Sequence, residues 1–260
     1  MADAFDCSAL IGYTGFVGSN LARQRTFDER FNSANIETIS DRNFDLIVCA
    51  GAPAEKWKAN KDPDADLANI DRLLRALEDV DAQKFVLIST VDVFANPVGV
   101  DEDSPAPLSG LHAYGRNRRM LEEVIASRFD TLVVRLPGLY GTGLKKNVIY
   151  DFLHDNGTEK IDSRGVFQFY GLDRLWRDIE VALGAELPLV HLATEPVSVA
   201  DVVRAAFDIE FSNEVAPSPA RYDVRTRYAE LFGGTAPYLE SRDQVLAGIK
   251  NFVQVQRVSS

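Results

Sequence analysis

Ala9-Leu10-Ile11-Gly12-Tyr13-Thr14-Gly15-Phe16-Val17-Gly18-Ser19-Asn20-Leu21 is the stretch from which the rest of the chain is read. A short apolar run ends at Gly12, and two more glycines follow at three-residue spacing. Val17, Leu21 and Ala22 then fall on one side of a helix. The pattern is strand, tight turn, helix. Gly12 lets the chain turn sharply. Gly15 leaves no side chain between the backbone and an approaching phosphate, and Gly18 lets the helix lie close to the strand. The N–H groups and positive dipole end of that helix suit a pyrophosphate. Gly12, Thr14, Gly15, Phe16, Val17 and Gly18 are therefore the candidate dinucleotide-binding residues. The spacing is G-x-x-G-x-x-G rather than G-x-G-x-x-G, and a βα turn that binds nothing can carry the same glycines. The place of the turn near the start of the chain, ahead of further βα units, favours the dinucleotide. No Gly-Lys-Ser/Thr follows, so the stretch is not a P-loop.

Working outward, a second strand is expected near residues 26–33. In many dinucleotide folds an acidic residue at this strand's end binds the adenosine ribose hydroxyls. Here the candidates, Asn32 and Ser33, are neutral. NAD and NADP both stay open. Asp45 to Ala52 is a near-continuous apolar run ending in small residues, as in a buried parallel strand whose end, Ala50-Gly51, approaches a ligand. Pro53 to Pro63 is a polar segment. Leucines and an isoleucine at helical spacing mark a helix over Asp66 to Leu77, and Phe85 to Thr90 is another buried strand. Asn96 to Gly110 is expected to be a loop, His112 to Arg128 a helix, Thr131 to Leu136 a fifth strand and Leu189 to Ala193 a sixth. Ser198-Val199-Ala200-Asp201 has the form of a capped helix start. Strands alternating with helices predict an α/β fold, a Rossmann-type doubly wound parallel sheet with a small C-terminal substrate lobe. The expected division is a dinucleotide-binding core over 1–140 and, over 141–260, a mixed segment that completes the sheet and forms the substrate lobe.

Composition sets the outer bounds. The 260 residues carry a formal net charge of -11, which disfavours an extended nucleic-acid surface. Cys7 and Cys49 lie in or beside apolar runs, reading as reduced thiols with no disulfide framework and no metal spacing. The three histidines, His112, His154 and His191, are scattered, so no metal site is expected. No apolar run approaches the roughly 20 residues needed to cross a bilayer, and no signal peptide is read at the start. The expected address is the cytoplasm.

Three further stretches carry chemistry. They are Ser89-Thr90-Val91-Asp92-Val93-Phe94 at the end of the fourth strand, Tyr114-Gly115-Arg116-Asn117-Arg118 at the start of the next helix, and Arg135-Leu136-Pro137-Gly138-Leu139-Tyr140-Gly141 after the fifth strand. With the glycine turn, they resemble the extended short-chain dehydrogenase/reductase family over roughly residues 7–205. That family includes NAD-dependent nucleotide-sugar epimerases, dehydratases and the reductase that completes dTDP-rhamnose, whose version of the motif Ser89 to Phe94 is similar to. Asn69-Ile70-Asp71-Arg72 is similar to the family's Asn-containing helix below the active site.

The resemblance implies roles. Thr90 would hydrogen-bond a substrate oxygen, and Tyr114 would exchange a proton with it while hydride moves to or from the nicotinamide of NAD or NADP. Asn69 and Pro137 would lie on the cofactor side, with Asp92 and Phe94 on the side of a sugar or nucleotide-sugar substrate. The residue four after the tyrosine, one helical turn on, is lysine in the family and Arg118 here. Arginine keeps the charge that favours a phenolate, but it is a planar fork that cannot release a proton. Three readings stand: a working catalytic substitute, a dinucleotide-binding protein with little or no turnover, or an accidental tyrosine match. A mononucleotide binder is a further alternative. Several residues also have plainer readings. Asp92 can be solvated, Phe94 can be core, His112 can cap its helix, and Lys145-Lys146 can be a solvated pair. Phe167, Phe169, Tyr170 and Trp176 are expected to build the core of the smaller lobe. The helices carrying Leu73-Leu74 and Leu121-Ile125 suit either a homodimer face or the inner core.

Overall fold

The computed structural model describes residues 5–259. In chain order the elements are β1 Ser8–Ile11, α1 Phe16–Gln24, β2 Glu29–Phe31, β3 Asn43–Cys49, α2 Lys56–Lys61, α3 Pro63–Ala76, β4 Asp81–Thr90, β5 Val98–Val100, α4 Ala113–Arg128, β6 Thr131–Leu136, β7 Gly138–Tyr140, α5 Val148–Leu153, β8 Val166–Phe167, β9 Phe169–Gly171, α6 Leu175–Gly184, β10 Leu189–His191, β11 Val197–Ser198, α7 Val199–Phe207, β12 Asp223–Val224 and α8 Arg242–Ser259. They form two compact units. The first comprises 1–96, 105–135 and 176–190; the second comprises 97–104, 136–175 and 191–260.

The first unit is built on a six-stranded sheet in the order β10-β6-β4-β3-β1-β2. β1 pairs in parallel with both neighbours, Leu10 lying opposite Arg30 on one side and Val48 on the other, and β3 pairs in parallel with β4. Central strands covered on both faces must be apolar on both faces. β1 is buried throughout, and so are Leu46 to Cys49 and Phe85 to Leu87. Helices supply the rest of this core: Ile70, Leu73 and Leu77 come from α3 and its end, and Leu121 and Ile125 from α4. Leu73, Leu121 and Ile125 are thus inner-core residues. The start of α3 is well signalled, with Asp62 accepting the Ala65 N–H at 3.1 Å, Pro63 in the first turn and acidic residues behind it.

The second unit consists of short two-stranded pieces, β7 with β9, β8 with β11 and β5 with β12, around α5, α7 and α8. Its core includes Ile149, Phe169, Val202, Phe207, Val245 and Ile249. Buried Gln168 acts as a strand surrogate: its Oε1 accepts the Val224 N–H at 2.8 Å, and its Nε2 donates to the Val224 carbonyl at 2.7 Å. Glu102 accepts from the His191 N–H, the Thr226 hydroxyl and the Arg227 N–H.

Several sequence expectations change. The polar segment 53–63 contains α2, and the expected loop 96–110 contains β5, which pairs with β12 over 120 residues away. Pairing that distant leaves no local signature. Residues 176–190 lie in the first unit, where β10 is the outermost strand on one side of the sheet, and the two units alternate along the chain. Trp176 belongs to that first unit and not to the smaller lobe's core. Its ring meets Phe27 edge-on at 5.8 Å, and the Arg25 guanidinium lies 4.5 Å from its centroid. No helix among the described residues is long and apolar enough to cross a membrane.

Candidate active site

β1, β3 and β4 run parallel, so Gly12, Ala50 and Thr90 leave the sheet along the same edge. β2 lies on one side of β1 and β3 on the other, which makes the end of β1 the point where the strand order reverses. Crevices at such points receive ligands in open α/β sheets.

The glycines of the turn are required for different reasons. Gly12 has a φ of 84°, and a Cβ there would lie 2.4 Å from the Ala50 carbonyl oxygen. A Cβ on Gly18 would lie 2.1 Å from the Gly12 carbonyl oxygen. The fold demands both. Gly15 has an ordinary φ of -75°, and an added Cβ would meet only the Gly12 oxygen, at 3.3 Å. No side chain caps α1, and Thr14 and Gly15 are exposed while Phe16 and Val17 are half-buried. The helix therefore opens on uncapped N–H groups behind a residue with no side chain, a cradle suited to a phosphate. Gly51 is exposed beside Ile11.

At the end of β2 the Asn32 carboxamide closes its own turn, accepting the Ala34 N–H at 2.8 Å. An arginine does stand beside this strand end, although nothing local announces it. Arg72 on α3 donates to the Ser33 carbonyl at 2.7 Å and pairs with Glu37. Asn69 on the same helix is exposed and donates back to the Ala65 carbonyl.

Thr90 closes β4 and caps the turn Val91–Val93, its Oγ1 accepting the Asp92 N–H at 3.1 Å. The next helix is pressed onto that turn. A Cβ on Gly115 would sit 2.1 Å from the Asp92 carbonyl oxygen, so only glycine allows α4 to start there. His112 is the N-cap, its Nδ1 accepting the Gly115 N–H at 3.0 Å. The Tyr114 N–H donates to Asn60 Oδ1 at 3.0 Å, tying α4 to α2. This local geometry buries Tyr114 beside the turn that Thr90 caps. Burial pushes the phenol above its ordinary pKa and Asp92 adds to the rise. Arg118, Thr90 and Lys56 act in the opposite direction without cancelling it.

Arg118 lies against the Tyr114 ring, 4.3 Å from its centroid. Its fork is occupied. It makes a two-point ion pair with Asp66 on α3, Nη2 to Oδ1 at 2.9 Å, and also donates to the Pro53 carbonyl. Asn117 adds a 2.9 Å hydrogen bond to Asp66. Both charges are buried, Arg118 at 3 % exposure and Asp66 at 5 %. Sequence reading missed Asp66, which resembles any acidic residue in a helix's first turn. It missed Lys56 too, whose Nζ lies 2.7 Å from Asp92 Oδ1. Asp92 is thus half-buried in an ion pair. Phe94 is buried, with the Arg135 guanidinium 5.2 Å from its ring centroid. Beneath Thr90, Ser89 donates to Glu122 at 2.5 Å and Arg135 forks onto the same carboxylate, fastening β4, α4 and β6 together.

In the second unit Pro137 is half-buried between β6 and β7. That unit also holds an apolar cavity of about 390 Å³, lined among others by Asn147, Val148, Phe167, Phe169 and Pro219. Lys145 and Lys146 are exposed just before it in sequence. Another concavity, of about 330 Å³, lies by Asn43 and Asp81 at the starts of β3 and β4, the sheet end opposite the glycine turn.

Three solved structures illustrate the likeness of the whole chain. Pseudomonas aeruginosa RMD, complexed with NADPH, is 16% identical with a TM-score of 0.72 over 96% of this chain and 99% of that one. A dTDP-4-dehydrorhamnose reductase from Clostridium acetobutylicum is 16% identical with a TM-score of 0.73 over 96% and 99%. The UDP-N-acetylglucosamine 4-epimerase of Methanobrevibacter ruminantium, in complex with UDP-N-acetylmuramic acid, is 11% identical with a TM-score of 0.74 over 98% and 99%. At these identities the likeness shows the fold. No curated protein sequence matches the chain. The profile of the NAD dependent epimerase/dehydratase family matches residues 25–160, more than half of the 260. The match includes Thr90, Tyr114 and Arg118 and starts after the glycine turn. The chain belongs to the NAD-dependent epimerase/dehydratase family.

Proposed function

We propose that the protein is an NAD(P)-dependent enzyme that interconverts a ketone and an alcohol on a sugar or nucleotide-sugar. The observation that carries this reading is the buried Tyr114, packed through Gly115 onto the turn that Thr90 caps, on the same sheet edge as a glycine turn whose middle glycine the fold itself does not require. The solved relatives bound to NADPH or NAD and to nucleotide sugars support the cofactor and substrate class.

The residues fit a dinucleotide. Thr14, Gly15 and the opening N–H groups of α1 would hold the pyrophosphate, with Gly12, Phe16, Val17 and Gly18 shaping that turn. Asn32 would lie toward the adenosine, Ala50 and Gly51 along the middle of the cofactor, and Pro137 toward the nicotinamide. Asn69 is also assigned to this side. When bound, the nicotinamide supplies or accepts the hydride. Thr90 orients the substrate oxygen, and Tyr114 delivers a proton to it as the carbonyl is reduced. A phenol held protonated through neutral pH is already in the form that donates. Asp92 and Phe94 would face the sugar.

A second reading, a dinucleotide-binding protein with little or no turnover, is favoured by the Arg118–Asp66 pair. The cation at the family's lysine position is held by a carboxylate rather than offered to the phenol or a ribose. One experiment orders these readings. Titration of the protein with NAD, NADH, NADP and NADPH, followed by the unfolding midpoint, is expected to show stabilisation by one pair. Tyr114→Phe should then keep that binding while lowering hydride transfer by about 10²–10⁴-fold. Binding without any Tyr114-dependent transfer selects the second reading. No binding to any of the four removes both.

A further inference from the structure

The cavity of about 390 Å³ lies wholly within the second unit, and the proposed reaction leaves it unassigned. Ligand pockets span about 300–1,000 Å³, and a close-packed interior does not leave such a space by default. Its apolar wall is made by Val148 of α5, Phe167 of β8, Phe169 of β9 and Val199 of α7, with Ile161 and Pro219 from the connecting segments. The Phe167 ring lies 6.3 Å from that of Phe169 and is backed by Tyr222, stacked at 5.7 Å with 28° between the planes.

The polar side chains of the wall are Asn147, Asp151 and Asp162, and their hydrogen bonds turn inward to the protein. Asn147 Oδ1 accepts the Ile149 and Tyr150 N–H groups at 3.0 and 3.3 Å, and its Nδ2 donates to the Leu139 carbonyl at 2.8 Å. Its φ of 98° favours glycine. Strain of this kind persists where the surroundings over-determine it, so this corner of the wall is preformed. The Asp162 carboxylate accepts the Val215 and Ala216 N–H groups at 2.9 and 2.8 Å, the Arg164 N–H at 3.0 Å and Arg164 Nη2 at 2.8 Å. Arg164 is itself spent, with Nη1 2.8 Å from Glu214 and Nη2 also donating to the Ala216 carbonyl at 2.6 Å. Asp151 Oδ1 accepts from Asn156 at 2.7 Å. Both charged members of the wall are acidic, and among the described residues no lysine or arginine lines the cavity. Lys145 and Lys146 are exposed and outside the wall.

We infer that this cavity is a binding site for an uncharged, ring-bearing apolar molecule and that it excludes a nucleoside diphosphate. A ring leaves water to pack against Phe167 and Phe169. A diphosphate would give up its hydration to walls that hold two carboxylates and offer no cation in return. The inference goes beyond the proposed reaction and depends on neither Tyr114 nor a bound dinucleotide.

The test is a titration of the protein with N-phenyl-1-naphthylamine, an uncharged probe that brightens in apolar surroundings. One molecule per chain is expected to bind with a Kd below about 100 μM. Val148→Trp and Ala216→Trp each put an indole into the cavity and should weaken the probe by about tenfold or more, with the unfolding midpoint confirming a folded protein. UDP or dTDP in large excess should leave the bound probe in place. No saturable binding, affinity unchanged in both folded variants, or displacement by either nucleotide would overturn the inference. If neither variant folds, methyl NMR of the native protein decides: the probe should shift the signals of Val148, Ile161 and Val199, and their constancy would sink the proposal. The readout involves no dinucleotide, so a failure of the proposed reaction leaves it standing.

Discussion

Asp66 on α3 grips Arg118 on α4 through both oxygens of its carboxylate, with Nη2 2.9 Å from Oδ1, and both side chains are buried. The pair joins two helices on the same face of the sheet and holds Tyr114 against the guanidinium. Removing one partner leaves an uncompensated buried charge. Asp66→Ala is expected to cost about 3–5 kcal/mol of stability, measured by urea unfolding. A loss under about 1 kcal/mol would show that the carboxylate does not balance the arginine in solution.

Arg118→Lys is the complementary change. An ammonium cannot span two carboxylate oxygens and the Pro53 carbonyl as the planar fork does. The expected cost is about 1–3 kcal/mol, seen as a lower thermal midpoint, with dinucleotide affinity unchanged. Unchanged stability together with a large gain of turnover would mean that the natural arginine holds back the chemistry rather than supporting the fold.

The two glycine substitutions of the turn should separate fold from ligand. Gly12→Ala forces a Cβ to within 2.4 Å of a backbone oxygen at a φ of 84°. It should destabilise by about 2–4 kcal/mol. Gly15→Ala meets nothing closer than 3.3 Å and should cost under about 1 kcal/mol. It should nevertheless weaken the bound dinucleotide about tenfold or more, because its methyl occupies the phosphate's approach. Isothermal titration of Gly15→Ala with full retention of affinity would remove the phosphate from this turn.

Alkaline stability should carry a mark of Cys49. Burial in β3 raises its thiol from an ordinary 9.0 to about 11. The folded state therefore keeps its proton where the unfolded chain loses it. The associated stability is complete below about pH 9 and is lost as pH rises toward 11, by at most about 3 kcal/mol. Cys49→Ala should flatten that part of the denaturant midpoint-versus-pH curve. An identical slope in the variant would show that other groups, such as the buried tyrosines, produce it.

The raised Tyr114 phenol has a consequence for rate. Reduction of a ketone, which uses the protonated phenol, should be independent of the phenol's ionisation through neutral pH and fall only in alkali. Oxidation of the alcohol needs the phenolate and should rise with pH over the same range. Parallel profiles in the two directions would exclude Tyr114 as the exchanging group.

Much of this molecule is legible along the chain because its determinants are local. Buried parallel strands need uninterrupted apolar runs, so β3, β4 and β6 were visible in Leu46 to Cys49, Phe85 to Leu87 and Leu132 to Val134. Steric constraint made Gly12 and Gly18 visible as well. His112 was readable as a helix cap, and Ser198 likewise, since its Oγ accepts the Asp201 N–H. What stayed hidden depends on partners far apart in sequence. β5 is three residues long and is defined only by β12. Trp176 joins Phe27 and Arg25 because α6 returns to the first unit.

The candidate site divides in the same way. The sequence alone determined which residues can carry chemistry: a threonine at a strand end, a tyrosine one turn before a cation, and glycines where a backbone must come close. Only the tertiary structure decided their charge states and partners. An electrostatic environment is a sum over neighbours in space: Asp66 reaches Arg118 and Lys56 reaches Asp92 from helices far away in sequence, at positions where periodicity and composition leave an ordinary acidic and an ordinary basic surface residue.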